Sequence, residues 1–157
     1  MARPMNIEVT SLIVFVTGMM FGSLFGGFLG ALVMFVNGFL SPYGFAGVVM
    51  PFQIAGMGFI GVAGGLYAKT TNRRLSVGDF AEAAVLGAFL TFVYDVVTNV
   101  GTAVFLMASG LSFPNALASA LIAGAVPSII HVSWNTVLFG AVTAPLVNAM
   151  HKMLGWR

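Results

Sequence analysis

Of 157 residues, 59% are hydrophobic and only 6% charged, and the mean hydropathy is +1.03, whereas a soluble domain carries roughly 25% charged residues. So few charges cannot coat a water-facing surface, which excludes a soluble globular domain and points to a membrane protein. The absence of cysteine excludes disulfides, thiolate metal sites and cysteine nucleophiles, and a net charge of +2 gives no reason to expect nucleic acid as a partner.

The elements follow in chain order. Residues 9–40 are largely apolar and carry no charge, a stretch too long for one ordinary span of roughly 20 residues. Gly22-Ser-Leu-Phe-Gly-Gly near the middle can turn the chain between two short helices. The stretch is no cleavable signal, because Arg3 is its only basic flank and further apolar segments follow. Residues 41–50 form a loop, and residues 51–68 form a third span opened by Pro51, a favoured residue of the first helical turn. The one hydrophilic loop, residues 69–79, follows. Asp79 caps a fourth helix and Glu82 favours its first turn. That helix continues to about Ala108, an uncharged turn covers residues 110–115, and a last helix runs from about Ala116 to Met150, tilted or kinked at Pro127.

The expectation is an all-α polytopic bundle of about five spans in a single transmembrane domain over residues 1–157. Lys69, Arg73 and Arg74 mark one side as cytoplasmic, and Lys152 with Arg157 places the C-terminus on that side. Counting back puts the N-terminus outside, with Arg3 on the disfavoured side and Glu8 close by. Gly18, Gly22, Gly26 and Gly30 recur every fourth position, and Gly61 with Gly65 repeats the spacing. Such ladders let helix backbones approach closely, where dispersion replaces the hydrophobic drive that lipid removes. They serve packing within the bundle or docking of a partner. No lysine with serine or threonine follows them at phosphate-loop spacing.

Asp95 is the one carboxylate inside a long apolar run, and His131 occupies the middle of another. A charge near the bilayer centre costs a few kcal/mol or more, so such residues face a bundle interior, a partner or a water-filled cavity. Asp95, Asn99 and Thr102 share one helical face, flanked by Tyr94 and Thr98; Ser128, His131 and Asn135 share another. Asp95 and His131 each lie about 15 residues, or roughly 22 Å, from opposite ends of consecutive antiparallel helices, so a direct or water-bridged contact is expected. Asn37, Ser41, Pro42, Tyr43 and Gln53 ring the external mouth above that pair. Tyr43 and Trp156 also suit an interfacial aromatic belt, and Trp134 is expected to face lipid or pack. A structural polar clamp, a pocket for a solute and a proton relay all remain open for the pair. One His with one Asp falls short of a metal-ligand set. No Gly-x-Ser-x-Gly elbow accompanies Ser128 or Ser133. Neither an enzyme nor a bound cofactor is expected.

Asn6-Ile-Glu-Val-Thr-Ser-Leu, the run Gly18 to Gly30, Asn37-Gly-Phe-Leu-Ser-Pro-Tyr-Gly, Gln53 to Gly65, Tyr94-Asp-Val-Val-Thr-Asn-Val-Gly-Thr and His131-Val-Ser-Trp-Asn-Thr-Val-Leu-Phe resemble the substrate-binding (S) components of energy-coupling factor (ECF) transporters. The resemblance spans nearly the whole chain. It implies a subunit in the cytoplasmic membrane of a prokaryote that captures a vitamin or related micronutrient from outside. A transmembrane coupling protein and two cytoplasmic ATPases are its implied partners. It also implies Asn37, Gln53, Tyr94, Asp95, Asn99, His131 and Asn135 as candidate substrate contacts. S components generally have six helices, and this chain resembles helices two to six. An upstream start or a reduced five-helix form is therefore expected; in the reduced form the Gly18–Gly30 ladder takes over docking to the coupling protein. A non-transport membrane scaffold and a small channel or proton-coupled carrier are the competing functions.

Overall fold

The computed structural model describes residues 7–40, 45–71 and 76–155. Among the described residues five α-helices follow one another, α1 (Thr10–Phe21), α2 (Ser23–Leu40), α3 (Met50–Thr70), α4 (Phe80–Met107) and α5 (Phe113–Leu154), with a single 3-10 turn leading into each of α3 and α4. No strand occurs among the described residues. Helices satisfy their backbone polar groups internally, which is what the hydrocarbon core demands of an open-chain structure. Four of the five are long and apolar enough to cross a membrane. The exception is α1, whose 12 residues rise only about 18 Å against a hydrocarbon core of roughly 30 Å.

The long apolar run breaks at Gly22, which has φ 96° and ψ 162°, a region populated essentially by glycine alone. Gly22 is thus the turn between α1 and α2 and takes no part in the packing ladder; nothing lies within 4 Å of where its Cβ would stand. We expect Gly22→Ala to cost about 1–3 kcal/mol through backbone strain, although the space is open. Detergent-denaturation midpoints of the two proteins measure it.

Beyond the turn α2 folds back on α1 so closely that a Cβ on Gly26 would lie 2.5 Å from the Cα of Gly18. The third helix completes the contact. A Cβ on Gly61 would overlap the Gly26 carbonyl, one on Gly64 the Phe15 carbonyl and one on Gly30 the Met57 carbonyl. The glycines of all three helices therefore meet backbone to backbone inside the bundle. On its other side α1 inserts Phe15, whose ring centroid lies 5.3 Å from that of Phe139 on α5 and 5.8 Å from that of Tyr67 on α3. Leu12, Val14, Phe15 and Val16 are buried, so the shortest helix forms the heart of the core.

Antiparallel packing joins α4 and α5. Gly87 makes room for Phe139 at one end, and Ala103, Ala116 and Ala120 pack together at the other. Outward-facing Val85, Ile122 and Ile129 are well exposed, as a lipid-facing surface requires. The helix starts depart in detail from expectation. Asp79 stands at the N-cap of α4 without capping it through its side chain; its carboxylate instead accepts from the Ser76 amide at 2.5 Å. Pro114 takes a first-turn position in α5, so that helix begins at Phe113, three residues early. It then runs continuously through both Pro127 and Pro145. The expected mouth residues Ser41, Pro42 and Tyr43 lie outside the described residues, as do Arg73, Arg74, Trp156 and Arg157.

Candidate functional site: a buried imidazole between two carboxylates

Half-way along the α4–α5 pair the two helices place their ionisable side chains face to face. Asp95 and His131 are 5% and 4% exposed, and Asp95 Oδ1 stands 2.8 Å from His131 Nδ1. The other carboxylate oxygen, Oδ2, is buried without a hydrogen-bond partner. Tyr94 packs its ring edge-on to the imidazole, with centroids 6.0 Å apart, and against Gly56 of α3. Its hydroxyl reaches Met34 Sδ on α2 at 3.5 Å.

The second carboxylate was missed from sequence. Glu8, which precedes α1, brings Oε1 to 3.3 Å from His131 Nε2 and 3.2 Å from Asn135 Nδ2. Its Oε2 accepts from the Ser11 amide at 3.0 Å, one of the unpaired amides of the first turn of α1, where the helix dipole also favours an anion. Both imidazole nitrogens thus face an acceptor. A neutral ring can donate to only one of them, and an imidazolium donates to both. Charge near its apolar run makes Glu8 look like a terminal flank. The signal that could have found it is the turn at Gly22: a helix of 12 residues that starts its chain reversal there must begin at mid-depth, and Glu8 with it.

Trp134 also departs from expectation. Its indole N–H donates to the Glu8 carbonyl at 2.7 Å, which ties the N-terminal segment to α5. Asn135 is fully buried and leaves Oδ1 without a partner. Gln53, one turn from Gly56 on α3, likewise buries an unpaired Oε1. Asn99 lies one turn along α4 from Asp95, its side chain against the backbone of Gly124 on α5. Thr98 and Thr102 turn away from the stripe, donating to the carbonyls of Asp95 at 3.0 Å and Thr98 at 3.1 Å on their own helix. Asn37 is exposed on α2. The structure therefore gathers Tyr94, Asp95, His131 and Asn135 with Glu8, sets Gln53 and Asn99 about one turn away, and leaves Asn37 outside. Among the described residues no group of His, Asp and Glu is arranged to hold a metal ion, since the imidazole lies between the two carboxylates and engages both.

The family model for the S component of the ECF-type riboflavin transporter matches residues 2–152. The chain belongs to this family. No curated protein and no solved structure matches it. As an S component it is a multi-pass protein of a prokaryotic plasma membrane and the substrate-binding subunit of an ECF transporter. It is a transporter subunit and not an enzyme. A buried polar cluster in an apolar bundle suits such a subunit, because recognition of a polar solute needs hydrogen-bonding groups whose competing water has been removed.

Proposed function

We propose that this S component captures riboflavin from the external side and passes it to an ATPase-driven module made of a transmembrane coupling protein and two cytoplasmic ATPases. The observation that carries the reading is the mid-bundle cluster with its buried, unpaired acceptors Asp95 Oδ2, Asn135 Oδ1 and Gln53 Oε1, within a chain whose family is described by that vitamin. Unpaired buried acceptors cost about 1–3 kcal/mol each, and the imide N–H and hydroxyl groups of a flavin are donors that relieve them. Tyr94, Asp95, His131 and Asn135 are the proposed contacts, with Gln53 and Asn99 reached by the far end of the molecule. Orientation is supported by charge: Lys69 closes α3 while His151 and Lys152 close α5, and these two helices run the same way, which favours a cytoplasmic C-terminus.

The test is a riboflavin titration of the purified protein followed by quenching of flavin fluorescence. Saturable one-to-one quenching is expected, lost in His131→Ala and retained in Val85→Ala on the lipid face. A second function, a polar clamp that only staples helices, is favoured by the bonds that tie Glu8, Asp95 and His131 across three segments. It predicts that His131→Ala lowers thermal stability while the unmodified protein leaves riboflavin fluorescence unchanged.

A further inference from the structure

Two donors on the rigid α5 converge on one oxygen. His131 Nε2 and Asn135 Nδ2, one helical turn apart, both address Glu8 Oε1, and the two side chains that donate are 4% and 0% exposed. The acceptor comes from a different kind of element. Residues 7–9 are not helical, and Ile7 and Val9 are 46% and 49% exposed. The segment is therefore anchored through its backbone, by the Trp134 bond to the Glu8 carbonyl, more than by packing of its side chains, and that tie does not itself hold the Glu8 carboxylate. Distances separate the two carboxylates as well. Asp95 holds Nδ1 at 2.8 Å, within the range of about 2.7–2.9 Å for a charge-assisted bond, whereas the contacts to Glu8 Oε1 are 3.2 and 3.3 Å. Asp95 is the fixed partner of the imidazole and Glu8 the looser one.

We propose that Glu8 Oε1 occupies an acceptor subsite of the ligand pocket, and that a ligand enters by displacing this carboxylate and placing its own carbonyl or hydroxyl oxygen between His131 Nε2 and Asn135 Nδ2. The proposal rests on the capture function above and deepens it. Glu8 is then a tethered stand-in that keeps two buried donors paired when no ligand is present. Its Oε2 bond to the Ser11 amide gives the displaced carboxylate a place to stay. Because the stand-in competes with the ligand, apparent affinity is lowered by the fraction of molecules in which the subsite is free.

Two measurements on Glu8→Ala protein in nanodiscs test this. The first is thermal melting with added formate. The substitution should lower the melting temperature by about 3 °C or more, and formate should restore it by filling the acceptor position, with no effect on the unmodified protein or on Glu8→Ala combined with His131→Ala. The second is the riboflavin titration, in which Glu8→Ala should bind about tenfold tighter than the unmodified protein. Equal or weaker binding by Glu8→Ala overturns the displacement, and failure of formate to act selectively overturns the subsite. Formate rescue with no riboflavin binding by either protein upholds the subsite while removing riboflavin as its ligand. Should Glu8→Ala not fold, Glu8→Gln keeps the shape of the segment and should also bind riboflavin more tightly, because a neutral amide competes less well for the imidazole.

Discussion

Asp95→Ala is expected to destabilise this S component by about 3–5 kcal/mol, the usual cost of removing one partner from a buried charge pair. Both Asp95 and His131 are almost fully buried, so water cannot take over the role of the lost carboxylate. The imidazole would keep only Glu8, the looser of its two partners at 3.3 Å, and would lose the tie between α4 and α5 at their mid-point. Asp95→Asn separates charge from geometry. Its amide oxygen can still accept from Nδ1, so the expected cost falls to about 1–3 kcal/mol. Unfolding in mixed micelles, followed by loss of helical circular dichroism, measures both variants. Equal losses would show that the charge contributes most and the hydrogen-bond geometry little; a loss below about 1 kcal/mol for alanine would remove the pair as a structural tie.

The second large effect is expected at Gly61. A methyl group there would overlap the carbonyl of Gly26 on α2, and backbone cannot rotate away as a side chain can. Gly61→Ala must therefore push α3 off the α1–α2 pair, at a cost of about 1–3 kcal/mol typical of overpacking. Gly58, one turn earlier on the same helix, provides the control. Its added Cβ would approach the Gly27 carbonyl only to 3.4 Å, ordinary van der Waals contact. Gly58→Ala should be neutral or stabilising by up to about 1 kcal/mol, since alanine loses less backbone entropy on folding. The same denaturation experiment compares the two, and equal midpoints would mean that the glycine contact is slack.

The helical, membrane-embedded character of the chain was legible because it depends on local composition and length. The break at Gly22, the helix begun near Pro51 and the closeness of Asp95 to His131 were legible for a related reason: a fixed rise per residue converts sequence position into depth. The roles of individual side chains were less so. Thr98 and Thr102 lie on the same stripe as Asp95, yet their hydroxyls donate to carbonyls of their own helix, a competition that helical periodicity does not reveal. Helical position alone puts Trp134 toward lipid or packing, yet its indole N–H holds the Glu8 carbonyl.

What the sequence by itself determined was the kind of protein, a polytopic helical bundle with one aspartate and one histidine at matching depth, and its family resemblance. Hydropathy, glycine spacing and helical rise are properties of short segments, so they survive without knowledge of neighbours. What only the tertiary structure decided was which groups meet. Glu8 is 123 positions from His131 in the chain, and nothing local distinguishes it from a solvated terminal charge. It enters the bundle because α1 is too short to span, turns back at Gly22 and is held between α3 and α5 by Gly64 and Phe15. That close packing carries the start of the helix to the level of the imidazole, where a carboxylate finds two buried donors.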